Sequence, residues 1–380
     1  MHEHKHNQCK RKVKHRKNVM KLIIFCITVG ISLMFIYYQN LRKEIDARQK
    51  WLETVLTGEK KWILENQGPE GEFYMNGSKA GDVNPYFACM AALGLLAETK
   101  NCLITETEKK AVNRYLDWHT GILLETDGKM GIYRKESGKL IYKEKADSED
   151  GYLGMYLFLM GKYLEKTEST DLSEYWKKGI SLALKKIQSL MQDGITQVSG
   201  ENTTVYLMDN LEVWKGLYEL EHAGLKDMPV VSEMRKKLQA QIEKLFWDDA
   251  NQRWRIIENS DLYHQKEFYP DGVAQIYPLI YEFPVKEKKK QKILYEQFTE
   301  RFQWQKLNKK RNGFLLAMAG MAAAQMGDIN NLLEMIRNYE AEYCENRKYP
   351  LYTGEAGWIC MECEKLYSLY ERKIKTGFLV

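Results

Sequence analysis

The sequence predicts an all-α chain: an (α/α)6 toroid of six outer–inner helix pairs, preceded by one transmembrane helix. Three observations predict it. Seven prolines occur in 380 residues, only three of them among the last 110, too few for a protein of many β-turns. Beyond residue 50, two kinds of helical segment alternate. An uncharged apolar run, Leu22 to Tyr38, stands ahead of them. With 44% apolar, 29% charged and 12% aromatic residues the chain is neither disordered nor collagen-like, and it is long enough for one large core or two ordinary ones.

The first element is a basic tail. Residues 1–21 carry eight Lys/Arg against Glu3, a net +7, whereas the whole chain is +5, so the other 359 residues sum to −2. The positive charge is therefore a tail and not a nucleic-acid-binding body, and no nucleic-acid partner is expected. His2, His4, His6 and His15 belong to this solvated basic region. Leu22 to Tyr38 is 17 residues without a charge and, with Val19 and Met20, just spans a hydrocarbon core of roughly 30 Å as a helix. Tyr37 and Tyr38 suit the membrane interface, and the basic cluster stays on the cytoplasmic side. No small-residue cleavage site follows Tyr38, so the expectation is an uncleaved signal anchor. The predicted organisation is a cytoplasmic tail (1–21), the anchor (22–38), a juxtamembrane linker (39–49) and an extracellular toroid (50–380).

Five cysteines fall in the exported part: Cys89, Cys102, Cys344, Cys360 and Cys363. An odd number in a large domain is no disulfide framework. Cys360-Met-Glu-Cys363 has redox spacing, but it lies within a helical pattern, and no second pair or nearby His completes a zinc site. Buried thiols are expected, with no metal and no cofactor.

The outer helices are long, charged and amphipathic. They are predicted near 50–66, 105–119, 171–192, 229–247, 285–303 and 328–343. Thr105-Glu-Thr-Glu108 is a capping box, Asp328 caps the sixth, and Trp176, Ile180, Ala183, Ile187 and Leu190 form one stripe. The inner helices are apolar on most sides and rich in small residues, as in PYFACMAALGLLA (85–97), GYLGMYLFLMGKYL (151–164) and GFLLAMAGMAAA (313–324). They are predicted near 84–98, 150–165, 203–221, 271–282, 312–326 and 355–371. Helices apolar on most sides must be covered on most sides, which places them in an inner ring. Inner starts are spaced 66, 53, 68, 41 and 43 residues apart, a structural period without a copied motif. A superhelical solenoid is the alternative, but solenoids carry recurrent signatures and none is visible.

Long connectors rich in Gly, Asn, Asp and aromatics lead from outer to inner helix at 68–84, 125–150, 192–202 and 248–272. Several are able to form short β-hairpins, and gathered on one face they are where a site is built. Acids recur where inner helices begin: Asp82, Asp147 and Asp150, Asp209, Asp271, and Glu355. Tyr86, Tyr152, Trp214, Tyr269 and Trp358 stand close by in sequence. An Asp ahead of an apolar run caps free N–H groups, which is the plain reading of each acid alone. Repeated in five of six helices whose N-termini ring one mouth, the acids point to a pocket. Acceptors for hydroxyls beside flat apolar rings suit a sugar.

The six-pair pattern, with ADSEDGYLGMYLFL (146–159), MDNLEVWKGLYEL (208–220), YPDGVAQIYPLIYE (269–282) and TGEAGWI (353–359), resembles the six-hairpin glycosidase superfamily over residues 50–372, and distantly the family-8 glycoside hydrolases. The resemblance implies a toroid acting on oligo- or polysaccharide, with Asp147 and Asp150 as sugar-contacting acids. Where family 8 opens its first inner helix on a Ser-Glu-Gly donor, this sequence reads Asp82-Val83-Asn84-Pro85. Glycoside hydrolysis needs one protonated and one ionised carboxyl, about 6.5–9.5 Å apart for inversion or about 5–5.5 Å for retention. Crowded acids push their pKa values apart, so Asp82, Asp147 and Asp150 are the expected catalytic set, with Glu72 and Asp271 further loop candidates. Asp209, Asp271, Glu355, Tyr86, Tyr152, Trp214, Tyr269 and Trp358 are expected to hold sugar.

Other chemistries fit less well. Asp147-Ser-Glu-Asp150 superficially resembles the acid motif of isoprenoid cyclases on the same toroid, but their Gln-Trp repeats are absent. A polysaccharide lyase wants a Tyr/His/Arg cluster, and of His119, His222 and His264 only His264 lies in a mouth loop. The alternative kept open is a non-catalytic glycan-binding toroid for polysaccharide export or cell-wall assembly.

Overall fold

A computed structural model describes residues 2–77, 81–136, 139–169, 172–224, 229–258, 260, 267–307, 316–345, 347 and 351–375, the side chains of 2–19 and 229 excepted. Residues 1–52 with 372–380 form one compact unit and residues 53–371 a second.

In the first unit, helix α1 (His2–Glu65) begins within the basic tail and also includes residues 39–49, the expected linker. Its apolar stretch is long enough to cross a membrane, and Leu22, Ile23, Phe25, Leu33 and Phe35 are each more than half exposed. The stretch has the length and apolar composition of a membrane span.

The second unit opens with residues 53–65 of α1 as the first outer helix, followed by inner helix α2 (Pro85–Leu95). The pairs continue as α3 (Glu106–Glu125) with α4 (Glu149–Thr167), then α5 (Glu174–Leu190) with α6 (Leu207–His222). Next come α7 (Pro229–Phe246) with α8 (Val273–Ile280), which a π-helical turn at Phe268–Gly272 precedes. The last pairs are α9 (Lys288–Phe302) with α10 (Ala319–Met326), and α11 (Ile329–Tyr339) with α12 (Thr353–Lys375). The predicted capping box at Thr105/Glu108 and the Asp328 cap both form. Two predicted boundaries, the outer start at 171 and the inner start at 312, lie outside the described residues.

Inner helices touch through glycine. A Cβ on Gly357 of α12 would lie 2.1 Å from the Met90 carbonyl oxygen of α2, so only a bare Cα lets the two backbones meet. One on Gly216 of α6 would lie 2.3 Å from the carbonyl oxygen of Gly154 in α4. Since α12 packs on α2, the last inner helix returns to the first and the ring closes, which rules out the open solenoid. The outer ring closes as well. Glu59 on α1 receives both Arg347 guanidinium nitrogens at 2.6 Å and the hydroxyl of Tyr339 on α11 at 2.9 Å.

Beyond the middle of the inner helices, ion pairs tie their distal ends. Lys166 bridges Glu98 and Glu364 at 2.9 Å each, and Lys215 bridges Glu219 at 2.7 Å and Glu282 at 2.8 Å. At the other end lie the outer-to-inner connectors, which form short antiparallel sheets. Strands β1 (Asp82–Val83), β2 (Gly131–Glu136) and β3 (Lys139–Lys145) make one sheet in that order. Hairpins β4 (Met191–Gln192) with β5 (Ile195–Thr196), and β6 (Trp247–Asp248) with β7 (Arg253–Trp254), make two more. The buried thiols are Cys89, Cys360 and Cys363, with Cys102 and Cys344 half-buried.

Candidate active site

Four carboxyl groups act on one another at the mouth end of the inner ring. Asp147 is exposed just ahead of α4, and Asp150 is fully buried in the first turn of that helix. The N-cap of α4 is Ser148 and not an aspartate: its Oγ accepts from Gly151 N at 3.1 Å. Asp150 is thereby left for another use. Its Oδ1 accepts from Ser148 Oγ at 2.8 Å and from Gly151 N at 3.0 Å, and its Oδ2 lies 2.7 Å from Thr196 Oγ1 on β5. Burial pushes Asp150 up to about 6 despite these partners.

Asp209 and Glu212 stand one turn apart on α6, on the same face. Asp209 is half-buried, and α6 has no side-chain cap, so this acid is not spent on helix capping. Its carboxyl is driven well above the usual range, first by burial and then by the charges of Asp150, Glu212 and Asp147. Glu212 is 2% exposed. Its Oε1 accepts from Tyr277 at 2.6 Å, from Tyr86, and from Tyr281 at 3.4 Å. Its Oε2 faces Gly151, where an added Cβ would come within 2.7 Å. Burial pushes Glu212 up to about 7 against the lowering effect of the Tyr277 and Tyr86 hydroxyls.

The acids are framed by tyrosines. Tyr86 and Tyr152 lie with ring centroids 5.6 Å apart, and burial raises both phenols. Tyr269 is 44% exposed, and the charges of Asp209, Glu212 and Asp147 act on it. Phe87 stacks on Tyr352 at 5.6 Å, both half-buried.

Of the residues expected from sequence, the fold gathers Asp147, Asp150, Asp209, Tyr86, Tyr152 and Tyr269. Asp82 goes elsewhere. Strand β1 pairs it with Arg134, whose Nε lies 2.7 Å away, and Lys143 adds a contact at 2.8 Å, so its carboxyl sits below the usual range and is ionised. Trp214 is core: it stacks on Tyr218 at 5.2 Å and meets Phe283 edge-on at 5.0 Å. Trp358 is buried with its Nε1 donating to Met90 Sδ at 3.2 Å, and it meets Tyr281 edge-on at 6.1 Å. Glu355 turns to α10's approach, accepting from Ala317 N at 3.3 Å, and burial pushes it up to about 7. Asp271 is buried in the turn before α8. Glu72 is buried under its own loop, accepting from Tyr74 and the Glu70 amide at 3.0 Å each. His119 is a neutral core residue, lowered to about 3 by burial, and His264 lies outside the described residues.

Glu212 and Tyr277 were missed from sequence. The available signal was helical spacing: Glu212 is three residues from Asp209. No group of three metal-ligating side chains occurs among the described residues.

The raised acids have a thermodynamic consequence. Asp150, Glu212 and Glu355 have folded values of about 6, 7 and 7 against ordinary values of 3.8, 4.5 and 4.5. A carboxyl raised on folding contributes stability that is complete below its ordinary value and is lost as pH climbs through the folded one. Glu282, lowered to about 2 by Lys215 and Lys365 despite burial, acts only at more acid pH. His119, lowered from 6.5 to about 3, opposes them in this window because it gains its proton only on unfolding. Three carboxyls outweigh one imidazole, so the urea midpoint should be higher at pH 5 than at pH 8. An equal or inverted order would contradict the burial of these three groups.

No family model matches the chain, and no curated protein matches it. Solved structures do. A glycosidase aligns over 87% of this chain and 98% of its own with a TM-score of 0.59 at 11% identity. A D-mannose isomerase aligns over 84% and 97% with a TM-score of 0.57 at 13% identity. A GH76 α-mannanase of Bacteroides thetaiotaomicron aligns over 86% and 97% with a TM-score of 0.52 at 11% identity. The chain has the six-hairpin toroid fold of these proteins. At such identities the likeness concerns fold, and fold alone does not choose a reaction.

Proposed function

We propose that the chain is a membrane-anchored, extracytoplasmic glycoside hydrolase, acting on a cell-surface or exported polysaccharide by carboxyl acid/base chemistry. The observation that carries this reading is the cluster of Asp147, Asp150, Asp209 and Glu212 behind a tyrosine frame. It joins carboxyls whose proton affinity burial raises to an exposed acid at one mouth. Hydrolysis of a glycosidic bond needs that pairing of a proton donor with an ionised carboxylate. Asp209, half-open to the mouth and raised, is the donor. Asp147, exposed to solvent, is the carboxylate that activates water or meets the sugar. Asp150 has both oxygens engaged and no exposed surface, so it acts through Asp209, its ionised form keeping the proton there. Glu212 holds the phenols of Tyr86 and Tyr277 in place beside the acids. No cofactor enters this chemistry. The fold's presence in glycosidases supports the substrate class, and the apolar stretch of α1 supports the anchor, with the basic tail cytoplasmic.

Two measurements test the reading. Full-length protein in detergent should bind members of a glycan array and release reducing ends from them. Binding without release would favour the non-catalytic glycan-binding toroid, and neither would end the carbohydrate reading. Protease added to intact cells should remove the chain beyond about residue 45, the distal side of a roughly 30 Å anchor. Full protection would place the domain inside.

A further inference from the structure

The contacts around Thr196 impose a proton count. Asn210 on α6 accepts from Thr196 N at 2.8 Å through Oδ1, and its Nδ2 donates to the carbonyls of Thr196 at 3.0 Å and Tyr206 at 2.9 Å. These bonds fix the amide's orientation, because a flipped amide would set its NH2 against the Thr196 N–H. Asn210 Oδ1 is thus an acceptor where it also meets Thr196 Oγ1 at 2.8 Å. The same hydroxyl lies 2.7 Å from Asp150 Oδ2. A hydroxyl carries one proton. It cannot serve both acceptors, so Asn210 and Asp150 compete for it.

We propose that Asn210, acting through the Thr196 hydroxyl, sets the proton affinity of Asp150 and is a positioning residue of the carboxyl cluster. When Asp150 is neutral, its own Oδ2–H donates to Thr196 Oγ1, whose proton goes to Asn210, and every contact is filled. When Asp150 is ionised, the hydroxyl turns to it and Asn210 Oδ1 keeps only the Thr196 N–H. Proton and charge balance in both states, and the exchange is one hydroxyl rotation plus one proton leaving Asp150. The charged groups facing Asp150 are Asp147 ahead of its own helix and Asp209 and Glu212 from α6; β5 contributes only Thr196. All three are acids, so the competition adds to their effect in favouring the neutral form. The proposal rests on the hydrolase reading only for its kinetic consequence.

The test is a 13C carboxyl titration of full-length protein labelled at aspartate, with the Asp150 signal assigned by its loss in Asp150→Asn. Asn210→Ala frees the hydroxyl for Asp150 and should lower its midpoint by about one pH unit, a typical value for one hydrogen bond to a charged group. Thr196→Val removes the hydroxyl and should raise the midpoint, and Thr196→Ser should restore it. Because Asn210 also ties β5 to α6, a second measurement covers a variant that fails to fold. In the unaltered chain the infrared C=O stretch of neutral Asp150 should be that of a donating acid and should move in Thr196→Val. Shifts of the same sign in both variants, or an unmoved stretch, would overturn the proposal. The acid limb of the pH–rate profile should follow the titration. Opposite shifts in a chain that shows no turnover would leave this inference standing and remove the hydrolase reading. Turnover with unmoved midpoints would do the reverse.

Discussion

Asp209→Asn should lower turnover by roughly 10²–10⁴-fold, the range lost with a general acid, while the protein stays folded. Asn cannot donate the proton that the leaving oxygen needs. The fold should tolerate it because the carboxyl it replaces is already held neutral by burial and by Asp150, Glu212 and Asp147, and α6 does not use it as a cap. Glycan binding should persist within a few-fold, so the loss falls on kcat. Asp147→Asn should show a comparable loss. Asp82→Asn should leave turnover nearly unchanged, since that carboxylate is ionised against Arg134 and Lys143. Retention of turnover in Asp209→Asn together with its loss in Asp82→Asn would reverse the assignment and return the donor to the first inner helix.

Glu59→Ala should destabilise the domain by about 3–5 kcal/mol, the usual cost of removing one partner from a buried ion pair. Glu59 is fully buried, and its oxygens satisfy both Arg347 nitrogens, Tyr339 and, at 3.3 Å, the Cys344 thiol. Without it the Arg347 guanidinium, 4.7 Å above the Trp62 ring, would stay largely out of water with no counter-charge. The effect is large because the contact joins the first outer helix to the last. Urea unfolding of the full chain reads it directly, and a loss below about 1 kcal/mol, the value of a surface pair, would show that the ring does not depend on this closure.

Much of the architecture is legible in the sequence itself. The alternation of charged amphipathic helices with apolar, small-residue helices is a local property of the sequence, as are the Thr105/Glu108 and Asp328 caps. Together they specify outer and inner rings. Residues 22–38 lack charge over roughly a membrane's thickness, which is likewise a local property of the sequence. Acids near inner N-termini are expected at one mouth, because helix direction alternates in a ring of hairpins; the fold brings Asp150 and Asp209 together but leads Asp82 to Arg134 and Lys143.

What the sequence could not decide was the fate of each acid, since a carboxyl's chemistry depends on burial and on neighbours distant in the chain. Asp82 and Asp150 read alike as acids near the starts of inner helices. Strand pairing hands Asp82 to Arg134 and Lys143 and keeps it charged, whereas α6 and β5 bury Asp150 beside Asp209 and Thr196. Glu212 looked like an ordinary charge in an apolar helix until Tyr86 and Tyr277, 126 and 65 residues away, converged on it. Periodicity determines which face of a helix is buried. Only the closed ring determines which buried faces meet, and desolvation and Coulomb repulsion act on groups once they have met.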